Sequence, residues 1–303
     1  MKSKLQGIMG APVTPFDADN RVDFETFEKQ IHFLIEAGGH FIAHPMHIGE
    51  SLNLTVEERK DLARSLVDAA AGRVRVFVNV STFGTGNALD LARHSESVNA
   101  SGIVALSPYH WQPGPEAHID HFMTLGGGVG IDMIAYNNPK HVQVEITRPI
   151  LLELMERLPN FVALKDAKFD MNYFIHACRV TSEASPDFSV FTGIEYLLTS
   201  IPVGGSGSFS NCAEVAPRLV LDLFDACIKG DLERARPLQY KMSQLLELLQ
   251  YKYPAMVKYS MGLLGRPVGG TRKPILPLKE DEKAHAGEVL EALGIFENEP
   301  WGW

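Results

Sequence analysis

Short apolar runs recur along the first two thirds of the chain, and this feature constrains the fold more than any other. Most of the runs begin about 30 residues apart, which is the length of one strand–helix unit. Few of them alternate strictly between apolar and polar residues, as expected for parallel strands that are buried on both faces. The eight runs cover residues 7–14, 40–44, 74–80, 102–107, 130–136, 161–165, 188–192 and 203–209.

Amphipathic segments with the period of a helix separate these runs. Thr55 and Glu58 have the spacing of a capping box and predict the start of the second helix. The stretch 193–200 leaves room for only about two helical turns before the last run. The predicted helices cover residues 24–37, 56–71, 87–99, 116–124, 148–157, 172–182 and 215–228. Eight strands with intervening helices favour an α/β fold, a (β/α)8 TIM barrel, over an open doubly wound sheet.

The last quarter of the chain has a different pattern, because no strand-like run follows residue 209. Amphipathic helices are predicted there over residues 232–250, 255–264 and 280–293, with a connector rich in proline and glycine at 265–278. A length of 303 residues allows either two ordinary domains or one barrel. We predict a barrel over residues 1–228 and a C-terminal helical extension over 229–303 that packs on the barrel.

Charge and cysteine content disfavour several classes of function. The chain carries 28 basic and 37 acidic residues, a net charge of −9, which is unsuited to binding nucleic acid or an anionic membrane. No apolar run approaches the roughly 18 residues of a membrane span, and the N-terminus lacks the apolar core of a signal peptide. The cysteines lack CxxC spacing, which argues against a disulfide framework or a cysteine-based zinc site; they are Cys178, Cys212 and Cys227. We therefore expect a cytoplasmic protein.

Two polar residues close neighbouring apolar runs. Tyr136 ends the run 130–136, and Lys165 ends the run 161–165. Reacting groups in such a barrel lie at the carboxyl ends of the strands. Burial lowers the pKa of a lysine and supplies the neutral amine that forms a Schiff base with a ketone. The Tyr136 phenol on the next strand could transfer protons to and from the same substrate. A surface lysine and a packing tyrosine are the structural alternatives.

Three histidines, His40, His44 and His47, cluster at the end of the second run. Their spacing allows a metal-dependent lyase as one hypothesis. Three ligands would converge poorly from an extended strand and its loop, because side chains alternate between the two faces. We expect His40 and His44 to be structural, His47 to face the mouth of the barrel, and no metal to be bound.

Glycines near the seventh and eighth runs allow the backbone to approach a ligand closely. Gly193 and the segment 204–207 could present backbone N–H groups to a carboxylate. They do not form a phosphate-binding loop, and the glycine cluster 126–130 precedes a strand and is more typical of a helix end than of a dinucleotide fingerprint. No cofactor is predicted.

Together these segments resemble the dihydrodipicolinate synthase / N-acetylneuraminate lyase family of class I, Schiff-base-forming lyases. The resemblance covers nearly the whole chain, and several motifs occur in the family's order. The matching segments are APVTPF at 11–16, GESLNLTVEE at 49–58, YNNP at 136–139, LKD at 164–166, GGSG at 204–207, and the C-terminal signature from Lys258 through GRP at 265–267 to RKPILPL at 272–278.

The resemblance implies a (β/α)8 barrel that forms an imine between Lys165 and the C2 carbonyl of a 2-oxo acid. Tyr136 would carry protons near the imine. The loop of His47, Ile48 and Gly49 would hold the substrate carboxylate, partly through backbone N–H groups. Residues expected to line the rest of the site and set its selectivity are His110, His141, Gly193, Ser208 and Phe209. The family also implies a homo-oligomer, either a tetramer or a dimer.

Three segments depart from the family pattern. His47 and Ile48 replace two hydroxyl residues before Gly-Glu, and we expect His47, with a pKa near neutrality, to relay protons in their place. His110 replaces a tyrosine that can reach a neighbouring subunit. In synthases of the family an arginine that binds a second carboxylate follows shortly after YNxP, whereas the sequence here is Lys140-His141-Val142, with no arginine. These departures favour an aldolase or dehydratase acting on pyruvate or a 2-keto-3-deoxy acid. The alternatives are a dihydrodipicolinate synthase proper and a 2-oxo-acid-binding protein without turnover.

Overall fold

Eight parallel strands form a closed barrel in which each strand pairs with its neighbours in chain order and β1 pairs with β8. The structure is a computed structural model and describes residues 4–303. The strands are β1 (Gly7–Gly10), β2 (Phe41–His44), β3 (Arg75–Asn79), β4 (Gly102–Leu106), β5 (Asp132–Asn137), β6 (Phe161–Asp166), β7 (Ser189–Thr192) and β8 (Gly207–Ser210). The predicted TIM barrel is confirmed, and each predicted run overlaps one of its strands.

Helices pack around the barrel between successive strands. Their bounds are α1 (Phe24–Glu36), α2 (Val56–Ala70), α3 (Thr85–Ser97), α4 (Pro115–Gly127), α5 (Pro139–Val142), α6 (Arg148–Arg157), α7 (Met171–Ala184), α8 (Leu197–Ser200) and α9 (Pro217–Ile228). The Thr55–Glu58 capping box at the start of α2 is present in both directions. Gly128 follows the last turn of α4, so this glycine cluster ends a helix as predicted. The single turn α5 directly after β5 is absent from the sequence prediction.

The eighth predicted run is partly wrong, because only its second half is extended. Residues Ile201–Val203 form a 3-10 turn, and Gly204 follows with a φ of +103°. β8 therefore starts at Gly207. A Cβ at Gly207 would lie 1.8 Å from the carbonyl oxygen of Gly7 on β1, so the closing pair of strands requires glycine there. The glycines at 204–205, which the sequence places in the eighth apolar run, instead belong to the turn that leads into β8.

The C-terminal extension consists of α10 (Leu232–Gln250), α11 (Ala255–Leu263), α12 (Glu280–Ala292) and the single turn α13 (Ile295–Asn298). Apolar residues of α10 such as Met242 and Leu245 belong to the same buried cluster as the barrel residues. The buried Arg266 side chain donates hydrogen bonds to the carbonyl oxygens of Glu214 and Val215, which lie just before α9. Within residues 4–303, no helix is both long and apolar enough to cross a membrane.

Candidate active site

Lys165 and Tyr136 lie opposite each other at the ends of neighbouring strands, as the spacing of the runs predicts. The Lys165 Nζ is 4.0 Å from the centre of the Tyr136 ring and 4.3 Å from the centre of the Phe209 ring of β8. The lysine is buried. Burial lowers its pKa to about 7, and the nearby Glu195 carboxylate opposes part of that shift. A large fraction of the amine is therefore neutral, which is the form that attacks a carbonyl.

The Tyr136 hydroxyl is held in place from the turn after its own strand. It accepts a hydrogen bond of 2.9 Å from the side-chain amide of Asn138. Burial raises the pKa of the phenol, so it stays protonated at neutral pH. The ring centres of Tyr136 and His47 are 5.7 Å apart, which places an imidazole on the same side of the barrel mouth.

His47 lies in the loop after β2 and is hydrogen bonded to Tyr109, with 2.9 Å between its Nε2 and the Tyr109 hydroxyl oxygen. Burial lowers the pKa of His47 to about 3, and the Lys165 and His141 charges act in the same direction. The expectation of a near-neutral pKa is therefore wrong, because it took no account of burial. His47 is neutral and can exchange protons only as an uncharged imidazole.

The loop that carries His47 differs in what its backbone N–H groups and its Ile48 side chain offer to a ligand. Within residues 4–303, the backbone N–H groups of His47 and Ile48 have no protein acceptor. The Gly49 N–H is instead used within the turn, since it donates to the carbonyl of Met46 at 3.0 Å. The Ile48 side chain is buried in the barrel core. The amides of His47 and Ile48 are thus available to an anion even though Ile48 offers no side-chain donor.

The same loop is held in place by two polar residues, one in the loop after β1 and one at the end of β2. The Thr14 hydroxyl donates to the carbonyl of Gly49 at 2.6 Å, and His44 Nε2 lies 3.0 Å from the same hydroxyl. A Cβ on Gly49 would lie 2.8 Å from His44 Nε2, so the glycine is required by this contact. Burial lowers the pKa of His44 to about 3, which keeps its ring neutral.

The three histidines of the metal hypothesis do not converge. His40 Nδ1 accepts from the backbone N–H of Ile8, and its ring packs against Phe224 of α9. His44 is directed to Thr14 and His47 to Tyr109. In the part of the chain that the structure describes, no three His, Cys, Asp or Glu side chains are grouped to hold a metal ion.

The residues after β4 and β5 form the outer part of the mouth. The His141 ring, on α5, is exposed and lies 5.6 Å from the His47 ring. His110 is exposed, has a φ of +72° and packs its ring against Trp111. Side-chain amides of Gln112 and Gln143 are hydrogen bonded to each other, joining the two loops.

Three further predicted site residues lie on β8 or directly after β7. Phe209 contacts Lys165, as described above. Ser208 is buried, but side chains alternate along a strand, so its hydroxyl points to the opposite face from Phe209. Gly193 donates its backbone N–H to the Asp166 carbonyl at 2.7 Å, and a Cβ there would lie 2.6 Å from that of Ala167. Gly193 is thus needed for the close approach of β6 and β7.

The sequence prediction missed two buried residues. Tyr109 was visible only as part of the Pro-Tyr-His segment, and nothing in the sequence indicated its bond to His47. Glu195 follows β7, is fully buried and accepts from the Ser210 hydroxyl and from the Cys212 N–H, at 3.1 Å for the latter. Burial raises the pKa of Glu195. A buried carboxylate close enough to influence Lys165 has no local sequence signature.

The family model, the relatives and the solved structures that this chain resembles all belong to the same family. The chain matches the sequence model of the Dihydrodipicolinate synthetase family over residues 4–293. It is 31% identical over 294 residues to a 4-hydroxy-tetrahydrodipicolinate synthase of Chlorobium phaeobacteroides, covering 96% of this chain and 98% of the relative.

Solved structures agree in fold over nearly the full length of both chains. Dihydrodipicolinate synthase from Aquifex aeolicus has a TM-score of 0.91 at 30% identity, covering 96% of this chain and 98% of that one. A prophage protein of the dihydrodipicolinic acid synthase family from E. coli, solved in complex with pyruvate, has a TM-score of 0.92 at 26% identity, with 96% and 99% covered. The predicted Schiff-base lyase acting on a 2-oxo acid agrees with these relatives. The chain belongs to the dihydrodipicolinate synthetase family.

Proposed function

We propose that Lys165 forms the imine, with pyruvate or a 2-keto-3-deoxy acid as the 2-oxo acid. The observation that carries this proposal is a buried amine with a pKa of about 7, 4.0 Å from the ring of Tyr136 at the end of the adjacent strand. The neutral amine attacks C2, the carbonyl oxygen leaves as water, and the resulting iminium withdraws electrons from the bonds at C3. Loss of the C3 proton to a base, or cleavage of the C3–C4 bond with the C4 hydroxyl proton passing to a base so that C4 leaves as an aldehyde, then gives an enamine.

The free backbone N–H groups of His47 and Ile48 are proposed to bind the substrate carboxylate. Backbone amides without a protein acceptor in a loop at the barrel mouth are suited to an anion. Their attraction compensates for the missing side-chain hydroxyl at position 48. It also explains how a chain with a net charge of −9 can bind an anionic substrate, because a local field in a cleft does not depend on net charge.

Proton transfer is proposed to run through Tyr136, His47 and Tyr109. Both phenols stay protonated because burial raises the pKa of each hydroxyl. The neutral His47 has one donor and one acceptor nitrogen, so it can accept a proton at one and release a proton at the other without carrying a lasting charge. The bond of 2.9 Å between His47 and Tyr109 supports this route.

The distal end of the site supports an uncharged, hydroxylated chain beyond the 2-oxo acid. His141 and the hydrogen-bonded Gln112 and Gln143 amides lie there, and partial burial of the exposed His141 ring, together with the Lys140 charge, lowers its pKa. Such groups exchange hydrogen bonds with hydroxyls, whereas a second carboxylate calls for a cation. We therefore favour cleavage or dehydration of a 2-keto-3-deoxy acid. Condensation of pyruvate with a carboxylate-bearing aldehyde is the second candidate, favoured by the names of the relatives.

Borohydride reduction in the presence of a 2-oxo acid tests the imine directly. We expect one covalent adduct per chain by intact-mass spectrometry, and no adduct in Lys165→Ala. Lys168→Ala is the matched control, because Lys168 lies three residues further on, partly exposed and paired with Glu145 and Asp170. It should trap pyruvate like the wild type. Absence of an adduct in the wild type across a panel of 2-oxo acids would refute the proposal.

The same panel distinguishes the candidate reactions. Release of pyruvate or loss of water from 2-keto-3-deoxy acids supports the lyase proposed here, and consumption of pyruvate only with a carboxylate-bearing aldehyde supports the synthase. Adduct formation and thermal stabilisation by pyruvate with no turnover of any compound would instead identify a binding protein that has lost catalysis.

A homo-oligomer, either a tetramer or a dimer, is also proposed. Phe83 and Trp111 are exposed by 59% and 70% beside the mouth, and Phe83 packs against Tyr109, which is bonded to His47. Exposed aromatic side chains of this size are typical of subunit contacts. Sedimentation velocity should show a mass above that of one chain, and Trp111→Glu should lower it. A wild-type monomer at micromolar concentration contradicts the proposal.

A further inference from the structure

A buried ion pair joins the substrate loop to the C-terminal extension. The Lys258 Nζ of α11 lies 2.8 Å from Glu50 Oε1, and the two side chains are only 2% and 0% exposed. The second carboxylate oxygen of Glu50 accepts from the backbone N–H of Arg272 at 2.9 Å. Lys258 also donates to the carbonyl of Gly270 at 2.6 Å. Glu50 thus accepts a charge-assisted hydrogen bond and a backbone hydrogen bond from two segments that lie more than 200 residues after it in the chain.

The backbone of Glu50 shows why such a pair is useful at this place. Its φ is +54°, in the left-handed region that a residue with a Cβ adopts only at a cost in free energy. The Glu50 N–H donates to the carbonyl of His47 at 3.0 Å, and the Asn53 N–H donates to the carbonyl of Glu50 at 2.7 Å. The conformation of Glu50 therefore sets the turn from which the free amides of His47 and Ile48 project.

A second ion pair ties the same loop region to the extension. The Arg272 guanidinium binds both carboxylate oxygens of Glu58 in α2 and donates to the Asn53 carbonyl at 3.0 Å. On the other side, Thr14 and His44 support the carbonyl of Gly49. The loop is thus held between the barrel interior and the extension, and Lys258 provides the one buried charge that contacts it from the extension in the described residues.

We infer that Lys258 is a positioning residue for the substrate carboxylate: its ion pair with Glu50 maintains the turn that aims the His47 and Ile48 amides into the site. The inference rests on the proposed function, since it requires that those amides bind the carboxylate. It makes the extension part of the active site without placing any of its side chains against the substrate. Loss of the pair should weaken substrate binding more than the chemistry that follows.

The test measures borohydride trapping by pyruvate as a function of pyruvate concentration. In Lys258→Met, which removes the charge and keeps the length, the half-saturating concentration should rise by about tenfold or more, because small misplacements of binding groups are costly. The trapping rate at saturation should stay within about threefold of wild type, as expected when ground-state binding alone is lost. Glu50→Gln, which keeps the side-chain shape, should behave in the same way and serves if Lys258→Met does not fold.

Arg266→Met is the matched control for loss of a buried cation. Arg266 belongs to the same extension but binds the carbonyls of Glu214 and Val215, away from the loop. We expect it to lower the melting temperature and to leave the half-saturating concentration within about twofold of wild type. If Lys258→Met lowers the melting temperature and leaves half-saturation unchanged, Lys258 is merely structural and the inference is overturned. Failure of the wild type to trap any 2-oxo acid is a different result, which overturns the imine proposal and with it this inference.

Discussion

Burial has opposite consequences for two basic side chains at the mouth of the barrel. It lowers the pKa of Lys165 to about 7, which makes the amine reactive near neutral pH. It lowers the pKa of His47 to about 3, which removes the imidazole as a charged acid over the same range. One environment therefore produces a nucleophile from the lysine and a neutral hydrogen-bonding relay from the histidine.

The pH dependence of imine formation follows from these two values. Below the pKa of Lys165 the amine is protonated and cannot attack, so the rate should fall about tenfold per pH unit below 7 and level off above it. An ordinary lysine would place the midpoint near 10.5. No second ionisation from His47 should appear between pH 5 and 7. Stopped borohydride trapping across pH 5–11 measures the profile.

Phe209→Ser provides the internal comparison for that profile. The Phe209 ring covers the Lys165 amine at 4.3 Å, and its loss admits water, so the midpoint should move upward. A wild-type midpoint near 10 would show that the amine is hydrated and that burial does not activate it.

The sequence predicts Lys165 and Tyr136 as site residues because each ends an apolar run and because consecutive strands of such a barrel are neighbours. It does not predict Tyr109 or Glu195. The partners of these residues, His47 and Ser210, come from other loops and strands. Such contacts depend on how loops close over the barrel, which neither hydrophobic period nor spacing encodes. The pKa of His47 was mispredicted for the same reason, since it depends on burial.

At the scale of secondary-structure elements, the predicted bounds are correct where a local motif, such as a capping box, determines where a helix begins or ends. The capping box fixes the start of α2, and the predicted bounds of α6 and α10 agree with Arg148–Arg157 and Leu232–Gln250. They failed between β7 and β8, where a 3-10 turn and a left-handed glycine replace part of a predicted strand. An apolar run with glycines fits either structure, and the choice is made by the close approach of β1 and β8.

At the scale of the whole molecule, the motif at 49–58 and the C-terminal signature acquire a common explanation. Glu50 and Glu58 of the first pair with Lys258 and Arg272 of the second. Two motifs far apart in sequence are therefore two halves of one contact. This contact favours the proposed division into a barrel at 1–228 and an extension at 229–303 that cannot act independently of it.

Calorimetry of the full chain tests this organisation. The barrel and the extension share one apolar core, in which Met242 and Leu245 of α10 are fully buried. Elements that share a core unfold together, so we expect a single cooperative transition. A chain ending at residue 228 would expose that apolar surface and deprive Glu50 of both Lys258 and the Arg272 N–H, which is strongly destabilising. This fragment should show no cooperative unfolding transition and no near-ultraviolet circular dichroism signal.

Two separate transitions in the full chain, or a cooperatively folded fragment 1–228 that still traps pyruvate with wild-type affinity, would show that the extension is an independent domain.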